Sequence, residues 1–261
     1  MITTIIKFFY PTKIKKFFKD FAYLSIKEDF MKNRKMSHEL QQLYLLNQRI
    51  NLDEKTKTRY QNLYRGYLGE IHMDKLVDTF CDGLEYLNDL TLVFKETMVQ
   101  IDKIILVNHT VFLIDMKYYR GHYRFQNNNW YKNDTILLTN IFEQLRKAKR
   151  LLQNVFHTQQ IPLKVEGVLA FMNPDASIEI KDEVPEKVLL YQDIPNWLYE
   201  LKNMQEPNTR LHWQRTLLQY TVAPFRSKKD YPIENIKKLK KGICCRSCHS
   251  FQTVETKHSI I

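Results

Sequence analysis

The chain has 261 residues, of which 44% are hydrophobic and 13% aromatic. That is enough apolar surface for a packed core and excludes a globally disordered chain, while six glycines and eight prolines exclude a collagen-like or low-complexity architecture. A net charge of +11 points to a polyanionic partner, nucleic acid or an anionic membrane surface, although lysines gathered on solvated faces give the same total.

Residues 1–58 form a basic, helical N-terminal extension. Its opening "MITTIIKFFYPTKIKKFF" has too short an apolar run to span a bilayer, is interrupted by Pro11 and is followed by no small-residue cleavage site, so neither a transmembrane segment nor a signal peptide is expected. A plain extension fits it, as does a basic amphipathic helix lying on a membrane or on nucleic acid. In "SHELQQLYLLNQRI", Ser37 is placed to cap a helix carrying Leu40, Leu43 and Tyr44. A second helix is predicted from Asp53 to about Cys81, with Leu63, Gly66, Glu70, Met73, Val77 and Phe80 on one stripe. Glu70 thus stands on a buried face and needs a partner, either a metal or a structural Arg or Lys. Gly66 and Gly69 weaken that helix by about 1 kcal/mol each, which makes sense if a strand or ligand approaches closely.

Two strand-like runs follow, "YLNDLTLVF" and "VQIDKIILV", then a third, "TVFLIDMKYY", and a shorter one around "NNWYKN". A two-residue turn at Asn108-His109 makes the second and third runs a hairpin and sets Val107 against Thr110. Continued along the strands, that register puts Asp102 directly opposite Asp115 on the face of Ile104, Leu106, Val111 and Leu113. Like charges directly opposite are destabilising, and a divalent cation is the simplest neutraliser, because hard ions take clustered carboxylate oxygens. A register slip of one residue separates the two acids to opposite faces; a slip of two only loosens the pair. Lys117 shares the face of Asp115, and the two also make sense as a strand-end ion pair. Asp102 alone also fits a polar residue near a strand start.

"NIFEQLRKAKRLLQNVF" reads as a helix, with Asn140 and Glu143 in capping-box spacing. Ile141, Gln144, Ala148, Leu151 and Val155 make its sheet-facing stripe. Gln144 then approaches the sheet, for a catalytic role or for an ordinary loop hydrogen bond. Arg146, Lys147, Lys149 and Arg150 flank the stripe and suit nucleic-acid phosphates. "KVEGVLAFM" is a further strand closed by "NPD", and "DIPNWLYELK" a short helix with Asp193 as cap and Pro195 in its first turn. The element order α-β-β-β-α-β-α predicts an α/β fold: a mixed central sheet flanked by helices. The expected core domain is 59–223, and 224–261 a basic, cysteine-containing tail.

The motifs "GYLGE", "QIDKIILV", "VFLIDMKYYRGHY", the Trp130 region and "TNIFEQLRKAKRLL", in this order over about residues 60–170, resemble the nuclease-related domain (NERD) family of the PD-(D/E)xK nuclease superfamily. The resemblance implies the superfamily's α-β-β-β-α-β core and a metal-dependent nuclease acting on nucleic acid, DNA foremost. The alternative is a non-catalytic nucleic-acid-binding module on a degraded nuclease fold. It assigns Asp102 to the first acidic motif, Asp115 and Lys117 to the (D/E)xK motif, Glu70 to the helix glutamate and Gln144 to the helix glutamine. It implies Mg²⁺ or Mn²⁺ on Asp102, Asp115 and Glu70, with the Met116 carbonyl as a further ligand. Asp115 departs from the family's usual Glu, and its shorter side chain would alter the metal position.

Four cysteines, three of them crowded near the C-terminus, do not make a spaced disulfide framework. A reducing cytoplasm is expected. Cys245 and Cys248 are half of a zinc knuckle, with Cys244, His249 or His258 as further candidates. A closed site needs four ligands, so Zn²⁺ at Cys245 and Cys248 competes with a partner-shared or truncated ribbon and with unliganded thiols.

Overall fold

A computed structural model of the chain describes residues 34–206, 213–223, 231, 239–243, 245, 251, 255–256 and 259–260. It divides into two compact units, one of Met1–Arg34 with Gly69–Ala223 and one of Lys35–Leu68 with Pro224–Ile261.

The larger unit is built on a five-stranded mixed sheet. Strands β1 (Glu85–Phe94), β2 (Thr97–Val107) and β3 (Thr110–Lys117) form an antiparallel meander. β7 (Lys164–Phe171) and β9 (Lys187–Leu189) extend it in parallel, in the order β1-β2-β3-β7-β9. Parallel strands need crossovers, and helix α3 (Ile141–Thr158) supplies the one between β3 and β7. The sheet is covered on both faces, which explains its near-continuous apolar runs. On one face α3 buries Leu145, Ala148, Leu152 and Phe156 against Ile104, Leu113 and Val165. On the other, α2 (Glu54–Phe80) and α4 (Ile194–Met204) bury Met73, Val77, Trp197 and Leu201 against Ile105, Ile114 and Val168. The expected mixed sheet flanked by helices is the observed fold.

A second sheet has no counterpart in the sequence-based element order. β4 (Gly121–Gln126), β5 (Asn129–Lys132), β6 (Thr135–Ile136) and β8 (Ala176–Ile180) pair in the order β6-β5-β4-β8. Only β5 is anticipated, around Trp130. The others are short and half-polar, so their alternation is too brief to stand out from a loop. Asn127, Asn128, Asn133 and Asp134 take φ between 45° and 68° in its turns, a region Asn and Asp tolerate. Trp130, Phe125 and Phe142 pack together at centroid distances of 4.8–5.3 Å, joining this sheet to α3.

Gly69 is where close approach requires a glycine: a Cβ there would lie 2.8 Å from the Tyr118 ring and 3.2 Å from Met172 Cβ. The same expectation fails for Gly66, which has open space where a Cβ would stand. Asn140 caps α3 by accepting from Phe142 N at 3.1 Å, while Glu143 turns to Arg146 and Arg150 rather than closing a capping box. Asp193 makes no cap bond into α4 and accepts instead from Leu190 N at 3.3 Å.

In the smaller unit, Ser37 caps α1 (His38–Arg49) and accepts from Leu40 N at 3.2 Å. Leu40 and Leu43 are buried, and Arg59 makes a two-pronged pair with Glu39, at 2.9 and 2.8 Å. Among the described residues no helix is long and apolar enough to cross a membrane.

Candidate active site at the end of the central hairpin

The β2–β3 hairpin turns at Asn108, whose φ of 52° opens a two-residue loop. Its register runs from Val107↔Thr110 to Lys103↔Ile114, as the sequence predicts. There the ladder stops, one residue short of Asp102. On the other side, β1 and β2 pair at Asn88↔Lys103 and at Leu90↔Ile101 but not at the position between, where Asp89 takes a φ of 49°. Asp102 therefore stands at a break in the β1 ladder and just past the end of the β3 ladder. Its Oδ2 accepts from Met116 N at 2.8 Å and its carbonyl accepts from Arg34 Nη2 at 3.0 Å.

Asp115 and Lys117 close β3, fixed from the far side by the parallel pairs Asp115↔Leu169 and Lys117↔Phe171. Lys117 Nζ donates to Asp115 Oδ1 at 2.7 Å and to Gln144 Oε1 at 3.3 Å. Asp115 Oδ2 is buried and accepts no hydrogen bond among the described residues. Asp102, Asp115, Lys117 and Gln144 line one cavity of about 280 Å³, with Lys147 of α3 on its wall and apolar residues such as Leu113 and Leu145 behind. Gln144 is itself exposed, reaching the site from the helix rim rather than from the buried stripe.

The electrostatics follow from this crowding. Burial pushes the Asp102 carboxyl well above the ordinary range, and the charges of Asp115 and Glu70 push it further, against Lys117 and the Met116 N–H. For Lys117, burial acts to lower the pKa, but the carboxylates of Asp115 and Asp102 outweigh it and the ammonium is held above its usual value.

Glu70 lies elsewhere than in this cavity. Its Oε2 accepts from Arg34 Nη1 at 2.9 Å, so its partner is a structural arginine. Burial raises its carboxyl despite that arginine. Arg34, 2% exposed, also donates from Nε to Asp74 Oδ2 at 2.8 Å. Asp74 takes a further bond from Lys103 Nζ at 2.9 Å, and Lys103 reaches Asn88 Oδ1 at 2.5 Å. Lys103 is 0% exposed. This network of Arg34, Glu70, Asp74 and Lys103 escapes the sequence reading. Asp74 stands four residues after Glu70 on the same helix face, and Lys103 interrupts an apolar strand, both usable signals. Arg34, in a lysine-rich arm, carries none.

Of the four basic residues on α3, Arg146 is committed to Glu186 by bonds of 2.8 and 3.1 Å, and Glu186 is 2% exposed there. Lys147 faces the cavity, Lys149 is half-buried and Arg150 is exposed. Cys245 is exposed; Cys244, Cys248, His249 and His258 lie outside the described residues. Among the described residues no three His, Cys, Asp or Glu side chains gather closely enough to hold a metal ion. The expected trio of Glu70, Asp102 and Asp115 is thus a pair in one cavity and a third carboxylate held by Arg34.

Residues 65–172, from within α2 to just past β7, match the family model of the nuclease-related domain, NERD. No curated protein and no solved structure matches the chain.

Proposed function

We propose, from the premise that residues 65–172 of this chain belong to the NERD family, that the protein is a metal-dependent nuclease hydrolysing phosphodiester bonds in DNA. The observation that carries this reading is the Asp115 Oδ2 atom, buried without a hydrogen bond from any described residue, in a cavity shared with Asp102, Lys117 and Gln144. A buried carboxylate oxygen with no donor is costly unless a cation completes it.

The donor set fits Mg²⁺ or Mn²⁺. Mg²⁺ keeps several waters and binds through one or two carboxylates, and Asp102 and Asp115 supply two. When bound, the ion supplies a Lewis acid that acidifies water and offsets charge on the scissile phosphate. Glu70, with Oε2 engaged by Arg34, adds negative potential beside Asp102 instead of a direct bond. Lys117, whose ammonium lies 2.7 Å from Asp115 Oδ1, works as a cation. It orients the attacking water and stabilises the charge that builds on the phosphorane oxygens. Gln144 steadies the Lys117 ammonium through Oε1. Lys147, Lys149 and Arg150 contribute salt-dependent backbone affinity without reading sequence. A cytoplasmic setting goes with this reading, with Cys81 a buried free thiol.

A non-catalytic nucleic-acid-binding module is the second reading, favoured by the closed ion pairs Lys117–Asp115 and Arg34–Glu70. One experiment separates the two. Purified wild type is incubated with single- and double-stranded DNA and RNA with Mg²⁺ or Mn²⁺, beside Asp115→Asn and Lys117→Ala. The nuclease reading expects metal-dependent cleavage of DNA that both substitutions abolish while circular dichroism stays unchanged. Binding without product in the wild type, or cleavage that persists in both variants, overturns it.

A further inference from the structure

We propose that Arg34, which lies ahead of the nuclease-related segment, is the positioning residue that aims the Asp102 carboxylate into the cavity. The proposal rests on the reading of Asp102 as a metal-facing carboxylate. Its ground is the ladder break. Asp102 pairs with neither β1 nor β3: Lys103 and Ile101 on either side of it pair with β1, and the ladder to β3 ends at Lys103. Its carbonyl is satisfied from outside the sheet, by Arg34 Nη2 at 3.0 Å. Its carboxylate takes Met116 N, at 2.8 Å. Without Arg34 that part-buried carbonyl is left unpaired, and a carbonyl shielded from water seeks a partner. The nearest repair is to re-close the ladder, which rotates the carboxylate away from the cavity and releases Met116 N.

Arg34 is shaped for this task. One planar guanidinium spans three acceptor residues on two elements: Glu70 at 2.9 Å and Asp74 at 2.8 Å on α2, and the Asp102 carbonyl at 3.0 Å in β2. Lysine keeps the charge but concentrates its donors at one point and cannot make that fork. Arg34→Lys therefore separates two roles. Neutralising Glu70 and Asp74 survives the change; holding the Asp102 carbonyl does not.

The test uses the full chain as wild type, Arg34→Lys and Arg34→Ala, with Mn²⁺ titration, steady-state DNA cleavage and amide exchange at Met116. For Arg34→Lys we expect Mn²⁺ affinity to fall about 10–100-fold, the range for supporting residues of a metal site. kcat should fall while KM for DNA holds, because Arg34 does not touch the substrate. Met116 exchange should speed up by about tenfold as its acceptor is freed, while amides of β8 keep their rates. Arg34→Ala should show the same losses if it folds; if it does not, Arg34→Lys decides. Wild-type Mn²⁺ affinity and Met116 protection in Arg34→Lys overturn the proposal, since charge alone then suffices. If the wild type binds no Mn²⁺ and cleaves nothing, the nuclease reading falls, and Met116 exchange still decides whether Arg34 holds Asp102 in place.

Discussion

Asp74→Asn is the sharpest probe of the buried network beneath the site. The Asp74 carboxylate accepts from Arg34 Nε at 2.8 Å, from Arg34 Nη2 at 3.2 Å and from Lys103 Nζ at 2.9 Å. Its partners are 2% and 0% exposed, while Asp74 itself is 18% exposed. Asparagine keeps the volume and one oxygen but removes the charge that both cations face. Breaking a buried pair costs about 3–5 kcal/mol. Glu70 remains for Arg34 and Asn88 for Lys103, so the lower end applies, about 3 kcal/mol out of a total of about 5–15. Urea unfolding followed by tryptophan fluorescence at pH 7 should show the midpoint lower by about 1 M for a slope near 3 kcal/mol/M. The pH dependence gives a second check. Burial alone would raise the Asp74 carboxyl, but the Arg34 hydrogen bond and the Lys103 charge outweigh it and hold it low. A depressed carboxyl contributes stability that is complete above its unfolded value near ~3.9 and is lost as pH falls through the folded value. The gap between wild type and Asp74→Asn should therefore be constant from neutral pH to about 5 and shrink below about 4. Adding Lys103→Met removes the stranded ammonium and should restore at least about 1 kcal/mol relative to additivity. A loss under about 0.5 kcal/mol, the size of an ordinary surface change, or strict additivity in the double variant, would refute this account.

The two helix glycines should respond oppositely. Gly66→Ala meets open space and should gain about 0.5–1 kcal/mol from helix propensity. Gly69→Ala drives a methyl against Tyr118 and Met172 and should lose about 1–3 kcal/mol by overpacking, both read by thermal melting. On α3, Arg146→Ala strands the buried Glu186 and should cost about 3 kcal/mol of stability. Lys147→Ala with Arg150→Ala should leave the melting temperature in place while lowering the salt slope of DNA binding by about 0.9 for each phosphate that these side chains neutralise.

The sequence alone determines the central sheet and its hairpin register. The near-continuous apolar runs of β2 and β3 and the two-residue turn at Asn108-His109 set the pairing that buries Ile104, Leu106, Val111 and Leu113 together. A one-residue slip would turn them all to the opposite face. The same local information places Asp102, Asp115 and Lys117 around one cavity, because strand periodicity decides which side chains share a face, whereas Gln144 reaches it from the exposed rim of α3 and not from the buried stripe. What it cannot decide is which distant charge meets which. Glu70 and Asp74 lie 36 and 40 residues from the arginine that holds them, and Arg146 lies 40 from Glu186. Ion pairs of that span depend on how elements pack, and no periodicity records them. The second sheet also emerges only in three dimensions, since β4 finds its parallel partner β8 some fifty residues later and strands this short gain their stability from the neighbours they meet.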